Sequence, residues 1–319
     1  MTNDRPVTAL APMAGVTDFA FREVCAQLAD IATTTEMVSA KGLCYGDRKS
    51  NKLMRIAEAE RHASVQLFGS EPETLAKAAE MAARIPGVTA VDLNMGCPVP
   101  KIVSAGDGCA LMRDIPKAAA LTRAVADAVS IPVTVKFRKG WDKGSVNCVE
   151  FAKAMEQSGA AGLCVHGRTR TQLYGGVCDF DAIAAVKRAV AIPVTASGDI
   201  DSPEAALRCR NYTGADCFMV GRAAFGNPWL VAGVDAALRG LPPPPVPNLA
   251  GRLDAAKRQI LRAAKDKGER VACLEARRHL SWYLRGVTRA ALFRAWVMKI
   301  ENIKDAERVI HDILEYVSG

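Results

Sequence analysis

Eight short runs rich in β-branched and apolar residues recur along the first 240 positions, each closed by glycine, proline or polar residues. They are Val7–Met13, Ile31–Val38, Ser64–Gly69, Ala90–Met95, Val133–Phe137, Gly162–His166, Val194–Ser197 and Cys217–Gly221. Between them the period lengthens. Glu73–Arg84, Pro116–Val129, Val146–Ser158, Asp179–Ala189 and Pro203–Arg210 are apolar at i, i+3 and i+4, and several open on an Asp or Ser cap or a proline in the first turn. Strands that alternate with helices pair in parallel through right-handed crossovers. Eight such units close a (β/α)8 barrel, whereas a doubly wound sheet normally shows five or six strands and a glycine fingerprint after the first. Here the first run ends in Ala11-Pro-Met-Ala-Gly15, and neither a GxGxxG nor a Walker loop occurs. The pattern predicts an α/β fold, a TIM barrel over residues 1–240.

Past residue 240 the pattern changes. Leu241-Pro-Pro-Pro-Pro-Val-Pro247 places five prolines in six positions, which removes backbone donors and forbids helix, so 241–247 is predicted as an extended, semi-rigid linker. Beyond it Leu249–Ala264, Val271–Leu284, Thr288–Glu301 and Ile303–Val317 show helical apolar spacing, with Gly268 and Gly286 as breakers. Residues 248–319 are therefore expected to form a small all-helical domain. A chain of 319 residues exceeds what one hydrophobic core usually serves, which agrees with a large domain plus a small one.

Charge sharpens this division. Residues 1–247 carry 27 Lys+Arg against 25 Asp+Glu, while 248–319 carry 15 against 9, so most of the net +8 belongs to the tail. Arg277, Arg278, Arg285, Arg289, Arg294 and Lys299 are interleaved there with Trp282, Tyr283, Phe293 and Trp296, a mixture found on surfaces that hold nucleic acid. A solvated helix face over an aromatic core is an equally good reading of the same residues. Half the chain is apolar and 24 % charged, an ordinary globular balance that excludes disordered, collagen-like and coiled-coil classes. The opening MTNDRPVTAL has no basic segment followed by an apolar stretch, and no window approaches the roughly 18 apolar residues of a spanning helix. A soluble, unexported, cytoplasmic protein with no membrane partner is expected. Ten scattered cysteines without CxxC or zinc spacing read as reduced thiols, and no metal site is expected.

Active sites of such barrels are built at the C-terminal ends of the strands. Those ends carry Pro12-Met13-Ala14, Glu36-Met37, Gln66, Asn94-Met-Gly-Cys97-Pro98, Lys136, His166-Gly-Arg168, Ser197-Gly198-Asp199 and Gly221-Arg222, which are not typical packing residues. The loops after the last two strands often cradle a phosphate with backbone N–H groups, and Ser197–Asp199 with Gly221-Arg222 suit that task, so a phosphorylated ligand is implied. Tight turns alone would explain one such glycine loop, though less readily two in register. A lysine in a barrel mouth is costly unless it meets an anion. A reduced flavin supplies one at N1–C2=O, where Lys136 would help, and glutamine can donate and accept along the N3–O4 edge. Singly, Lys136 reads as half of a structural ion pair and His166 as a satisfied interior histidine. Cys97 is marked by its place, in a Gly-Cys-Pro turn just past a strand and ahead of Lys101 and the glycine-bearing loop 104–108. A neutral thiol is a competent proton donor near neutral pH without a metal.

These stretches resemble the flavin-dependent tRNA-dihydrouridine synthases, nearest in motif to the bacterial B-type branch. The likeness runs almost end to end: APMAGVTDFAFR at 11–22, TEMVSAKGL at 35–43, QLFGSEPE at 66–73, DLNMGCPVPKIV at 92–103, VTVKFRKGW at 133–141, HGRTRTQLYGG at 166–176, SGDI at 197–200, MVGRAAFGNPWL at 219–230 and RRHLSWYLRG at 277–286. The resemblance implies an FMN-bound barrel followed by a helical tRNA-binding domain. Pro12, Met13 and Ala14 would then contact the flavin through backbone, Gln66 and Lys136 would hold its ring edge, and His166 would sit beside flavin and substrate. Ser197, Gly198, Asp199, Gly221 and Arg222 would hold the FMN phosphate. Asn94 and Arg168 would lie near the uracil, and Lys101, Arg277 and Arg278 would meet tRNA. It further implies hydride transfer to uridine C6 from FMN that NADPH has reduced, with Cys97 protonating C5. The family usually has Asn where Ser197 stands and Gly-Ser where Gly108-Cys109 stands. A monomer with tRNA and no DNA partner is expected. The alternative is an FMN oxidoreductase acting on a free pyrimidine, like dihydroorotate dehydrogenase, which would have no use for residues 248–319.

Overall fold

Most strands of the barrel are short β-branched or apolar runs that stop where a proline or glycine breaks the ladder. In the computed structural model, which describes residues 6–318, they are β1 (Thr8–Leu10), β2 (Ala32–Thr34), β3 (Val38–Ser39), β4 (His62–Phe68), β5 (Val88–Met95), β6 (Val133–Arg138), β7 (Gly162–His166), β8 (Val194–Ser197) and β9 (Cys217–Val220). Residues 1–5 of the N-terminal decapeptide and Gly319 lie outside the described residues. All pairings are parallel, and β1 against β9 together with β2 against β4 close the sheet on itself. Nine segments make eight staves, because β2 and β3 both pair with β4, in registers Thr34↔Ser64 and Val38↔Leu67. The single run expected over Ile31–Val38 is thus interrupted at Thr35–Met37. There the Thr35 hydroxyl accepts the Gln66 N–H at 3.1 Å and the Glu36 carboxylate accepts the Gly15 N–H at 2.5 Å, so side chains replace ladder bonds. β1 is shorter than Val7–Met13, since Pro12 has no N–H to continue it.

The helices between the staves bury one apolar stripe each. Pro72–Ala83 buries Leu75, Ala78, Ala79 and Ala82, while Asp114, Asp179 and Ser202 cap Ile115–Ala128, Phe180–Ala189 and Pro203–Thr213 by accepting a third-position backbone N–H. Cys148–Gln157 completes that set. The spacing does not pick out Trp229–Leu238, because this helix is buried on nearly every side and shows no amphipathic period.

Residues 239–248 carry no regular structure, and the chain continues through helices Leu249–Lys267, Glu269–Tyr283, Ala290–Val297 and Ile303–Ser318. Tyr283, Phe293, Leu280 and Ile313 form their core together with Trp229 of the barrel. Tyr283 and Phe293 are therefore core residues, as the second of the two readings of these aromatics has it. The helical unit is locked to the barrel: Lys267 pairs with Asp18 at 2.5 Å, Arg262 with Glu23 at 2.6 Å, and Phe225 packs on Trp282 with centroids 4.5 Å apart. Gly226, at φ +67°, lies so close to the Trp282–Tyr283 backbone that a Cβ would come within 2.2 Å of it. Gly226→Ala should therefore lower the unfolding free energy by about 1–3 kcal/mol, read as an earlier thermal melt of the whole protein.

Candidate active site

The C-terminal ends of the strands surround a cavity of about 800 Å³, within the range of small-molecule sites. Pro12, Met13, Ala14, Gln66, Asn94, Cys97, Lys136, His166, Arg168, Ser197, Gly198, Asp199, Gly221 and Arg222 all line it, so the structure brings together these expected residues. Lys101, exposed on the turn Pro100–Ser104, does not line it. Arg277 donates its Nε to the Ile300 carbonyl at 2.8 Å, and Arg278 donates to the Gly15 carbonyl behind the Pro12–Ala14 segment. Each arginine expected at tRNA thus also holds the protein together, by satisfying a carbonyl that would otherwise lack a donor.

The floor is a chain of polar side chains. Alternation along β5 puts Asp92 and Asn94 on one face. Asp92 accepts from Thr134 at 2.5 Å and from Gln66 Nε2 at 2.7 Å, Gln66 Oε1 accepts from Asn94 Nδ2 at 2.8 Å, and Asn94 Oδ1 accepts the Cys97 N–H at 2.9 Å. Gln66 keeps one amide hydrogen and one oxygen lone pair for a ligand. Burial pushes the Asp92 carboxyl up to about 6, against the lowering pull of Gln66, Thr134 and Lys136.

Cys97 sits at the end of this chain. Its carbonyl accepts the Cys109 N–H at 3.0 Å, and Gly108, at φ +58°, leaves no room for a Cβ, which would lie 2.8 Å from that carbonyl. Burial raises the Cys97 pKa, outweighing the Val99 N–H and the Arg138 charge, so the thiol stays protonated at neutral pH.

The adjoining wall is cationic. The Lys136 ammonium has no hydrogen bond or ion pair among the described residues. Arg138 donates to the carbonyls of Gly96, Thr169 and Leu173, and Arg222 lies 4.6 Å over the Tyr174 ring. Arg168 donates to both Asp199 oxygens at 2.8 Å and to the Gly175 and Gly176 carbonyls, while its buried Nη1 lacks a partner among the described residues. This pairing gives Arg168 a loop-holding task beyond the expected place at the uracil, and it turns the Asp199 carboxylate toward Arg168 and the Cys178 N–H. Gly198, at φ +115°, would place a Cβ 2.6 Å from Cys178 Sγ, so only glycine fits. Burial first, then Lys136, Arg138, Arg168 and Arg222, push His166 down to about 2, so its imidazole is neutral.

Those shifts set a pH dependence. The unfolded chain takes up protons at the ordinary histidine pKa of 6.5, whereas folded His166 and His279 resist until about 2 and about 4, so stability falls as pH drops below 6.5. Asp92 opposes this below about 6, since its carboxyl binds a proton more readily folded than at the ordinary 3.8. In the cofactor-free protein, urea midpoints should decline from pH 6.5 downward, and His166→Gln should flatten that decline.

Asp92, Arg138 and Tyr174 were not singled out by sequence, and Glu36 stood out only as a polar residue at a strand end. Arg138 follows Lys136 by two positions and Asp92 precedes Asn94 by two, so strand alternation was the usable signal. Glu36 shows in no period. It acts through the stave break, and burial raises its pKa against the Gly15 N–H that it accepts.

A closed parallel barrel whose strand ends surround a cation-lined cavity beside a protonated thiol has the architecture of a TIM-barrel enzyme. Residues 9–318 match the dihydrouridine synthase (Dus) family, and the chain belongs to it. It is 41% identical over 297 residues to tRNA-dihydrouridine synthase B of Pseudomonas aeruginosa, covering 92% of this chain and 88% of that protein. To tRNA-dihydrouridine synthase B of Xanthomonas axonopodis pv. citri it is 42% identical over 304 residues, covering 93% and 89%. To the probable tRNA-dihydrouridine synthase 1 of Synechocystis it is 39% identical over 301 residues, covering 94% and 84%. The B-type names agree with the branch that the motifs resemble. Among the described residues no helix is long and apolar enough to cross a membrane, and no group of three or more His, Cys, Asp or Glu is placed to hold a metal ion.

Proposed function

We propose that the protein reduces a uridine of tRNA to 5,6-dihydrouridine, with FMN in the cavity, NADPH as reductant and Cys97 as proton donor. The observation that carries this reading is Cys97 itself: a thiol kept protonated by burial, held by the Asn94 bond to its N–H, at the edge of a cavity with a cationic wall.

The residues fit FMN. Gly198 and Gly221 let backbone N–H groups approach a phosphate, Arg222 and the unpartnered Arg168 Nη1 supply charge, and Lys136 stands free to meet the pyrimidine end of the ring. Gln66 would offer its remaining amide hydrogen to a ring oxygen. Bound there and reduced by NADPH, FMN would supply the hydride taken up at uracil C6. The chain's own contribution is the second half of the addition. Cys97 Sγ–H delivers its proton to C5, and Arg138, whose Nε holds the Gly96 carbonyl beside it, favours the thiolate left behind. Neutral His166 can donate or accept a hydrogen bond without adding another cation to the wall.

A base in a folded tRNA cannot reach the bottom of this cavity while stacked, so it must be extruded, and phosphate contacts on the basic helices supply the binding energy. Arg285, Arg289, Arg294 and Lys299 are exposed there. Neutralising Arg285 or Arg294 should weaken tRNA binding and reduce the slope of log affinity against log salt by about 0.7–0.9 per lost phosphate contact. An unchanged slope would remove that residue from the interface. The reading as a whole is tested by purifying the protein, recording its flavin spectrum, and measuring NADPH-dependent dihydrouridine in an unmodified tRNA transcript. Colourless protein that FMN does not reconstitute would overturn it.

A further inference from the structure

Beside the catalytic cavity, on the same face of the barrel, lies a second hollow of about 500 Å³ between Met112-Arg113 and the loop 141–147. Arg113 and Arg170 both lie against the Trp141 ring, 4.8 and 4.6 Å from its centroid, and Arg113 is exposed. Asn147 donates to the Met112 carbonyl at 2.7 Å, which fixes its amide, and its buried Oδ1 is left without a partner among the described residues. A buried acceptor with no donor calls for a ligand or water that donates. Asp142 lines the same hollow, with one carboxylate oxygen accepting from Gly144 and Ser145 and the other free of such bonds.

Both walls are tied to the turn that carries Cys97. The turn Gly108–Arg113 is anchored where the Cys109 N–H meets the Cys97 carbonyl at 3.0 Å. The other loop leaves β6 at Arg138, whose Nε holds the Gly96 carbonyl at 3.0 Å. Both walls of this hollow are therefore braced against the turn that borders the large cavity.

We propose that the Arg113–Trp141–Asn147 hollow is a nucleotide subsite, taking the residue of tRNA next to the uridine that enters the catalytic cavity. The inference rests on the tRNA reading above. Extruding one base leaves its neighbour without a stacking partner. A guanidinium lying over an indole offers a replacement surface, and the Asn147 oxygen with the Asp142 carboxylate offers acceptors to a base edge that donates. Arg113 also brings a positive charge within reach of the linking phosphate.

The test is a cycle between protein and RNA, run with the FMN-loaded enzyme. Unmodified tRNA transcripts carry an abasic residue on one side or the other of the target uridine, and wild type, Trp141→Leu and Arg113→Ala are compared. On one of the two sides, the abasic transcript should raise the KM for tRNA roughly tenfold in wild type. In either variant, whose KM for the intact transcript is already raised by a similar factor, it should add little. KM for NADPH should be the same in all three proteins. Losses that simply multiply, or a KM for NADPH that rises in the variants, would overturn the subsite. Arg113 is on the surface, so its variant stays informative if Trp141→Leu fails to fold. Absence of dihydrouridine formation by wild type would instead strike at the tRNA reading itself.

Discussion

Cys97→Ala should cut dihydrouridine formation by about 10²–10⁴-fold while leaving FMN content and tRNA binding unchanged, since it removes a general acid and little else. The Asn94 side chain bonds the backbone N–H of residue 97 and not its sulfur, so the turn should keep its shape in the variant. The check is single-turnover reduction of a transcript by prereduced enzyme, alongside flavin absorbance and a tRNA binding curve. Unchanged turnover would remove Cys97 from the chemistry. Loss of flavin together with activity would mean that residue 97 supports the site and does not act in it.

The largest effect on stability is expected far from the thiol. Arg22 and Glu60 form an ion pair at 2.8 Å with side chains 2 % and 0 % exposed. Arg22 also donates to the Arg55 and Thr17 carbonyls, and Glu60 accepts the Ala57 N–H. Glu60→Ala leaves the guanidinium buried without its counter-charge and should cost about 3–5 kcal/mol, a large share of the 5–15 typical of a folded protein. Urea unfolding reads this directly, and a loss under about 1 kcal/mol would show that water reaches Arg22. Replacing both residues by apolar ones of similar volume should recover most of the loss, because the penalty lies in the unpaired charge. The effect should also reach the site, since Arg22 holds the Thr17 carbonyl while the Thr17 hydroxyl accepts the Met13 N–H at 2.7 Å.

The barrel was legible because parallel strands buried on both faces leave uninterrupted apolar runs, and because residues that face a ligand break those runs at one end only. Gln66, Asn94, Lys136 and His166 stand out as polar residues closing apolar strands. The stave break at Thr35–Met37 was not legible, since it depends on Gln66 and Gly15, which are distant in sequence and meet only in the closed sheet. Double duty was hidden too. Nothing in the string shows that Arg168 pairs with Asp199, or that Arg277 and Arg278 are partly engaged by carbonyls. Aromatic residues of an amphipathic helix likewise do not declare which side they face. Trp282 lies between the two units, whereas Tyr283, one position on, is wholly buried.

The seam between barrel and helices has a bearing on selectivity. Arg278 reaches from the helical unit to the carbonyl of Gly15, Gly226 admits no gap against the Trp282 backbone, and Lys267 joins Asp18. On the proposed reading the helical unit would work as a fixed ruler: the distance from its arginines to the thiol is set by the fold, and a tRNA gripped at one end would present the uridine that its own geometry delivers at the other. Choice of position along the RNA would then follow first from measured length.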